Sequence, residues 1–584
     1  MPLSSSPPIV SGSSSISNDL DIKVYSALEG RLDRQGKPIE LINGFLPFQW
    51  EGLQHMTTCD QAVYYRWSTG TGKSLAIEGT ILYRDFDLCF YVVKPNNLYD
   101  SLTKLKSHTH LDGRILSGTP ARRDQILAEI DIAIENGEQP ILIFNAEKFR
   151  EDKEILKILV EGRRLLIIFD EMPTKYSNRA TGLYRSTAEV LYTSYNTPQF
   201  GKNRGRKIFY PKKGQERAAE MFSVATSATP IIKSPEGFYN SVRLMHPGFL
   251  PSITDFNNLY VAARDDWGNI IAWRNLDHLA ELAAPIIHQA DKEKDERIRI
   301  QFPPKMPPET IYCDLDPNSQ KLYNILQKEY SNIGLCSILD YTEILSAIGV
   351  FQMICSNPRA VLYSALDREE SIEDDNPRGS EVALKLRELV GNDALFTDRD
   401  RYGKCIVSKM LQLRETIEGH DDKVLVFTSM NETLLPLISE WFSTWEIPHV
   451  NFHGGLTQKG RQSVLEAFRE DPEIKVFLSS DAGSTSIDLP QASMVVHYDL
   501  PWSWATLKQR ERHDRIDSIK DTLWNITLAV PGTIESRKAE VIDEKHTYHE
   551  AIFGETVIEE PVEVWSAKAG LLYLLTGERV VDTE

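Results

Sequence analysis

Cysteine is scarce and scattered in this chain. Its six cysteines, Cys59, Cys89, Cys313, Cys336, Cys355 and Cys405, form no C-x-x-C pair, which argues against a zinc ribbon or a disulfide framework and suits a reducing cytosol. Long apolar runs are missing too: candidates such as Leu165–Phe169 are strand-sized, whereas a membrane span needs ~18 residues. The N-terminus, MPLSSSPPIVSGSSSISNDL, lacks the basic and apolar regions of a secretory signal and reads as a Ser/Pro-rich disordered tail over 1–20. Positive charge is in deficit. Lys plus Arg number 65 against 84 Asp plus Glu, a formal net charge of −19. Binding to nucleic acid or an anionic membrane therefore has to come from a local basic patch. With 41% hydrophobic and 26% charged residues the composition is that of an ordinary globular protein. At ~100–200 residues per domain the chain holds three or four domains, or two large ones with insertions.

Short apolar runs, each followed by turn residues and an amphipathic stretch, recur along the sequence. In the first half they are Ala62–Tyr65, Leu88–Val93, Ile141–Phe144, Leu165–Phe169 and Phe222–Thr226; in the second, Lys423–Phe427, Val476–Leu478 and Met494–Tyr498. Continuous apolar strands alternating with helices predict parallel sheets covered on both faces. Two such series predict two α/β lobes. The stretch between them, roughly Asp316 to Lys409, reads helical and contains an acidic, solvated segment, Asp367–Asn376.

The strand Ala62–Tyr65 runs into Ser68-Thr69-Gly70-Thr71-Gly72-Lys73-Ser74 and then a helical segment. A glycine-rich turn between strand and helix lets backbone N–H groups approach phosphates at the helix N-terminus. Lys73 then meets the β- and γ-phosphates and Ser74 holds Mg²⁺. Trp67 stands where the full G-x-x-x-x-G-K-S pattern has its first glycine. The strand Leu165–Phe169 ends in Asp170-Glu171. There Asp170 reaches the same Mg²⁺ and Glu171 orients or deprotonates the attacking water. One segment departs from the acidic background. Gly201–Arg217 holds seven Lys/Arg and one Glu, net +6, with Phe209 and Tyr210 interleaved, a composition suited to phosphate contacts and to stacking on a base or wedging a duplex.

Taken in order, these motifs resemble a superfamily-2 helicase-type ATPase. Leu46-Pro47-Phe48-Gln49 resembles the adenine-reading glutamine motif, Ser68–Ser74 motif I, Val93-Lys94-Pro95 motif Ia, Asp170–Pro173 motif II and Thr226–Pro230 motif III. In the second lobe Val424–Ser429 resembles motif IV, Ser479 through Asp488 motif V and Arg512–Ile516 motif VI. Elements outside these motifs are most similar to the Swi/Snf-type translocase family. They are Leu315-Asp316-Pro317 with Gln320 and Tyr323, Phe351–Pro358, Gly403-Lys404, Asn451–Gly455 and Thr533-Ile534-Glu535. The departures are informative. Pro173 replaces the family's histidine and removes the side-chain donor toward motif III, motif III reads Ser227-Ala228-Thr229-Pro230, and Lys508 takes the place of the motif VI glutamine.

The resemblance implies an α/β fold of two RecA-like lobes, parallel sheets flanked by helices, with helical insertions and a C-terminal brace. The expected organisation is a disordered tail over 1–20 and a first lobe over 21–305 that binds ATP and carries a basic insertion at 196–218. A helical inter-lobe region over 306–410, a second lobe over 411–530 and a brace helix and tail over 531–584 follow. It implies Gln49, Ser68, Thr69, Gly70, Thr71, Gly72, Lys73, Ser74 and Asp488 as ATP contacts, Ser74 and Asp170 as Mg²⁺ ligands, and Lys73, Glu171 and the arginine fingers Arg512 and Arg515 as the catalytic set. Nucleic acid is expected on Lys94, Thr226, Thr428, Ser429, Ser479 and Ser480 and on Lys202, Arg204, Arg206 and Lys207 of the insertion. The expected activity is ATP-driven translocation on double-stranded DNA. The alternatives are a strand-separating DNA or RNA helicase and a nucleotide-regulated binding module with a degenerate ATPase. The last requires loss of Lys73, Glu171 or Arg515, and all three are present. No membrane association is expected. Protein partners for targeting, and a prokaryotic or viral-host cytoplasm rather than a nucleus, go with the lack of a recognisable chromatin-reader, nuclease or zinc module.

Overall fold

The computed structural model describes residues 42, 44–200, 204–231, 234–264, 270–330, 341–362, 393–483, 489, 491–511, 522–542, 562–563 and 567–577. In the first half the strands are β1 (Ala62–Trp67), β2 (Leu88–Val93), β3 (Arg114–Ile115), β4 (Ile141–Asn145), β5 (Arg164–Asp170), β6 (Tyr195–Asn196), β7 (Ile208–Phe209), β8 (Glu220–Thr226), β9 (Val261–Arg264), β10 (Ile270–Trp273) and β11 (Ile287–Ala290). Seven of them form one sheet in the order β11-β1-β8-β5-β2-β4-β3, every neighbouring pair parallel.

Strand periodicity sends alternate residues to opposite faces, and here both faces are covered. On one face Tyr64 packs with Phe90, Phe169 and Phe238. On the other Val63, Tyr65 and Trp67 pack with Leu53, Ile77 and Val93, beneath helices α1 (Pro47–Thr58) and α2 (Lys73–Tyr83). That double burial is why the strands read as unbroken apolar runs.

The second sheet comprises β12 (Glu309–Tyr312), β13 (Lys423–Phe427), β14 (His449–Phe452), β15 (Val476–Ser479), β16 (Ala492–His497) and β17 (Trp524–Ala529). Its order is β12-β17-β16-β13-β15-β14, again parallel throughout. Val424 and Val426 face Trp441 and Ile438, while Leu425 and Phe427 face Phe452, Phe468 and Phe477. The two parallel sheets with their flanking helices are two RecA-like lobes.

The stretch 306–410 is not wholly helical. It holds helices Pro317–Glu329 and Tyr341–Ser356, but it begins with β12, the edge strand of the second sheet, paired with β17. Four residues, with Glu309, Thr310 and Tyr312 exposed and Ile311 only half-buried, carry too little apolar periodicity to read as a strand. The C-terminal part is divided as well. Strand β18 (Val562–Glu563) joins β10 and β9 in a small antiparallel sheet, whereas helix Ala567–Thr576 places Leu572, Leu574 and Leu575 in the second lobe's core. The tail 1–20 and the acidic segment 367–376 lie outside the described residues.

Candidate active site

The phosphate loop leaves β1 at its carboxyl end and turns into α2. Gly70 and Gly72 sit at φ 78° and 82°, the left-handed region that glycine enters without steric cost, and Gly72 directly precedes the first helical residue, Lys73. Lys73 Nζ donates to the carbonyls of Trp67 (3.1 Å) and Ser68 (3.4 Å), and Thr71 Oγ1 donates to Ser68 O at 2.7 Å. The amino group is thus folded back over the cradle of the loop. Ser74 follows in the first turn of α2, half-buried.

Gln49 braces this loop from α1. It is completely buried; its Oε1 accepts from Leu46 N at 2.9 Å and its Nε2 donates to Thr71 O at 2.8 Å. Trp67, in the place of the pattern's first glycine, is completely buried as the last residue of β1. Its indole N–H donates to His288 Nδ1 at 2.9 Å, its ring meets Phe48 and Tyr65 edge-on, and a Cβ on Gly52 would stand 2.5 Å from its Cζ2. Burial, and next the neighbouring His55, push the His288 imidazole down to about 4. It is neutral at neutral pH and able to accept that bond.

The opposite wall of the loop was not visible in the sequence. Ser68 N donates to Ala290 O at 2.8 Å, Ser68 Oγ to Asp291 Oδ1 at 3.3 Å, and Lys292 N to Ser68 Oγ at 3.2 Å. Lys292, itself buried, donates from Nζ to Thr69 O (3.1 Å) and Thr69 Oγ1 (3.3 Å). No local motif marks Asp291 and Lys292; the parallel pairing of β11 with β1 brings them there across more than two hundred residues.

Asp170 and Glu171 end β5, two strands from the loop. Thr226 Oγ1 donates to Asp170 Oδ1 at 2.7 Å, Glu171 N to Thr226 Oγ1 at 3.4 Å, and Ser227 Oγ to Glu171 Oε2 at 3.3 Å. Glu171 is buried and holds φ 54°, a left-handed conformation rare for a side-chain-bearing residue and typical of functional sites. The Tyr64 phenol beneath it is pushed well above its ordinary value, by burial and then by the Glu171 carboxylate. Motifs II and III are therefore linked through Thr226 and Ser227, without the donor that Pro173 cannot supply.

The structure places the expected nucleic-acid contacts as follows. Thr226, Thr428 and Ser479 are completely buried and their hydroxyls are committed: Thr226 to Asp170, Thr428 to Asp499, Ser479 to the carbonyls of Phe452 and Ser480. Those three hydroxyls are thus engaged within the protein. Ser429 donates its backbone N–H to Asp499 Oδ1 at 2.8 Å, Ser480 is buried with Oγ accepting from Ala482 N at 3.4 Å, and Lys94 lines a narrow crevice shared with Asp170 and Glu171. In the basic insertion β6 and β7 form an antiparallel ribbon that leaves the first sheet at the amino ends of its strands, where Arg217 O accepts from Gly162 N. The phosphate loop is at the opposite, carboxyl end. Arg204, Arg206 and Lys207 are exposed on the ribbon, Lys207 lying 4.3 Å from the Tyr195 ring. Phe209 is half-buried against the core and Tyr195. Phe200, at 86%, and Tyr210, at 37%, are exposed. Lys202, Asp488, Arg512 and Arg515 lie outside the described residues.

Between the lobes runs a cleft of about 510 Å³, lined from one side by Arg66, Ser68, Thr69, Thr229 and Lys292 and from the other by Trp504, Lys508 and Glu511. Its first wall is the phosphate loop; its second is the chain just ahead of motif VI.

Residues 408–515 match the family model of the helicase conserved C-terminal domain. The chain is 24% identical over 57% of its length to an uncharacterized ATP-dependent helicase, YqhH, of Bacillus subtilis, covering 55% of that protein. It is 25% identical over 72% of its length to the DNA repair and recombination protein RAD54-like of Gallus gallus, covering 52%. The chain thus spans about half the length of these curated relatives. Among solved structures, the Sulfolobus solfataricus SWI2/SNF2 ATPase core in complex with dsDNA aligns over 87% of this chain and 92% of that one, at 18% identity and a TM-score of 0.35.

Proposed function

Because this chain belongs to the superfamily-2 helicase-type ATPases, on their Snf2-like side, we propose that it is an ATP-driven motor that moves along double-stranded DNA. The observation that carries the reading is that the phosphate loop and the Asp170-Glu171 pair lie at the same, carboxyl end of the first sheet, on β1 and β5 with only β8 between them, while the loop faces the second lobe across the cleft.

Phosphoryl transfer asks for positioning and charge neutralisation more than for covalent chemistry. Lys73 swings from its loop carbonyls to the β- and γ-phosphates, while the loop N–H groups and the α2 N-terminus meet the remaining oxygens. Gln49, Asp291 and Lys292 hold the loop in shape. Glu171, oriented by Ser227, takes the proton of the attacking water. Among the described residues no cluster of three or more His, Cys, Asp or Glu forms a metal cage. Mg²⁺ does not need one, since it binds through one or two carboxylates and substrate phosphates; the Ser74 hydroxyl and the Asp170 carboxylate are a donor set of that kind. When bound, Mg²⁺ neutralises charge on the phosphate oxygens. Arg512 and Arg515 complete the site from the far lobe, with Asp488 on the nucleotide ribose, so hydrolysis requires closure, which ATP favours by bridging both walls.

Nucleic acid meets the protein through exposed cations and backbone amides rather than the buried hydroxyls, and Arg204, Arg206 and Lys207 add a basic patch. No described helix is long and apolar enough to cross a membrane.

Strand displacement and triplex displacement with one preparation test the proposal. ATP-dependent triplex displacement without duplex unwinding, absent in Lys73→Ala, is the expected result; efficient unwinding overturns it in favour of a helicase.

A further inference from the structure

The C-terminal helix over 534–542 pushes two ionic side chains into the second lobe, and among the described residues one has no ion-pair or hydrogen-bond partner. Glu535 Oε1 accepts from Lys409 Nζ at 2.6 Å, both groups buried, and Glu535 Oε2 accepts from Val530 N at 2.9 Å. Lys538, one turn on, is 2% exposed. Its Nζ has no hydrogen-bond acceptor among the described residues and sits 4.1 Å from the ring of Trp502. Desolvating an ammonium without an acceptor is costly, and its field acts on the charges packed around it.

That field falls on Arg510 and its partners. Arg510 is completely buried. Its Nε donates to Asp481 Oδ1 at 2.8 Å and its Nη1 to Asp499 O at 2.6 Å, with Nη2 2.7 Å from Asp481. Asp499 in turn accepts from Thr428 and Ser429. The charges that act on the Lys538 amine are Asp499, Arg510, Glu535 and Asp481, from the chain just after β16, helix Trp504–Arg510, the C-terminal helix itself and the turn after β15. With Lys409 the cluster holds three cations and three anions. Arg510 stands two residues before Arg512, and Lys508 and Glu511 of the same stretch form the far wall of the cleft.

We propose that Lys538 is a positioning residue: as the third cation it holds Asp499 and Asp481 around Arg510, so that the C-terminal helix sets the posture of the chain leading into motif VI. It acts through Asp499, Asp481 and Arg510. The proposal rests on the ATPase reading for its kinetic consequence but not for its structural one. Burial first, tempered by Asp499, pushes the Lys538 amine down to about 8, so the clamp weakens as pH rises past that value.

The experiment uses the full chain as wild type, Lys538→Met, Lys538→Arg and Trp502→Leu, the last at a 42%-exposed indole. Hydrogen exchange by mass spectrometry reports the posture without reference to catalysis. Peptides across 499–511 should exchange at least several-fold faster in Lys538→Met and return toward wild type in Lys538→Arg, with first-lobe peptides unchanged. Trp502→Leu should give a smaller acceleration in the same peptides. ATP turnover should fall about tenfold in Lys538→Met with KM within about twofold, and wild-type kcat should decline above pH ~8. Unchanged exchange across 499–511 in Lys538→Met overturns the proposal. So does Trp502→Leu matching wild type if Lys538→Met fails to fold. Absence of Lys73-dependent turnover in the wild type with the exchange pattern intact refutes the ATPase reading alone.

Discussion

Replacing Gly52 with alanine pits helix propensity against packing, and the structure decides between them. In an exposed helix interior the exchange stabilises by ~1 kcal/mol. At Gly52 the new methyl would lie 2.5 Å from Trp67 Cζ2 and 3.1 Å from His288 Nδ1, whereas carbons in contact sit at ~3.5–4.0 Å. About 1 Å of overlap has to be relieved. Trp67 cannot yield freely: it is completely buried, tied to His288, and wedged between the Phe48 and Tyr65 rings at 5.7 and 5.2 Å. Overpacking of this kind costs ~1–3 kcal/mol, so Gly52→Ala should come out destabilised by ~1–2 kcal/mol in urea unfolding. Because Trp67 O accepts from Lys73, displacement of the indole should also loosen the phosphate loop and weaken nucleotide binding. Trp67→Phe removes Cζ2, so the double variant should recover most of what Gly52→Ala loses. If Gly52→Ala is as stable as wild type, or its effect simply adds to that of Trp67→Phe, the two residues are not packed as described.

Three further outcomes are expected. Lys73→Ala and Glu171→Gln should both abolish hydrolysis, but Lys73→Ala should weaken ATP binding while Glu171→Gln retains bound ATP; normal turnover in Glu171→Gln would remove Glu171 as the base. The His288 pKa is depressed from 6.5 to about 4 by burial and then by His55. The native state thus binds fewer protons than the unfolded chain in that window, and the contribution, up to ~3 kcal/mol, is complete above pH 6.5 and lost as pH falls toward 4. His288→Asn should flatten this acid limb in pH-dependent unfolding, and an unchanged limb would assign it to other groups. Arg204→Ala, Arg206→Ala and Lys207→Ala together should lower the slope of log affinity against log salt on duplex DNA by at most ~3, since each phosphate contact contributes ~0.9. Basal turnover should survive, and an unaltered slope would make the ribbon an ordinary solvated surface.

Much of the architecture was legible from local pattern. Strands buried on both faces must be apolar throughout, so β1, β2, β4, β5, β8, β13, β15 and β16 announce themselves in composition. The edge strands β3, β11, β12 and β14 do not, because two or four residues with a solvent-facing side carry no such run.

The sequence by itself determined the chemistry available along the chain: a glycine turn that only left-handed backbone satisfies, a lysine at a helix start, a carboxylate pair at a strand end. Those are properties of neighbours in the chain, and neighbours fix them. What only the tertiary structure decided is which groups are already committed. Thr226, Thr428 and Ser479 look like free hydroxyls in a motif, yet each is buried and spent on a partner brought from elsewhere in the fold. Asp291 and Lys292 look like part of an ordinary charged stretch, yet parallel pairing of β11 with β1 lays them against the phosphate loop. A side chain's hydrogen-bonding capacity is finite and burial removes water as an alternative partner, so its role follows from long-range packing that no local spacing records.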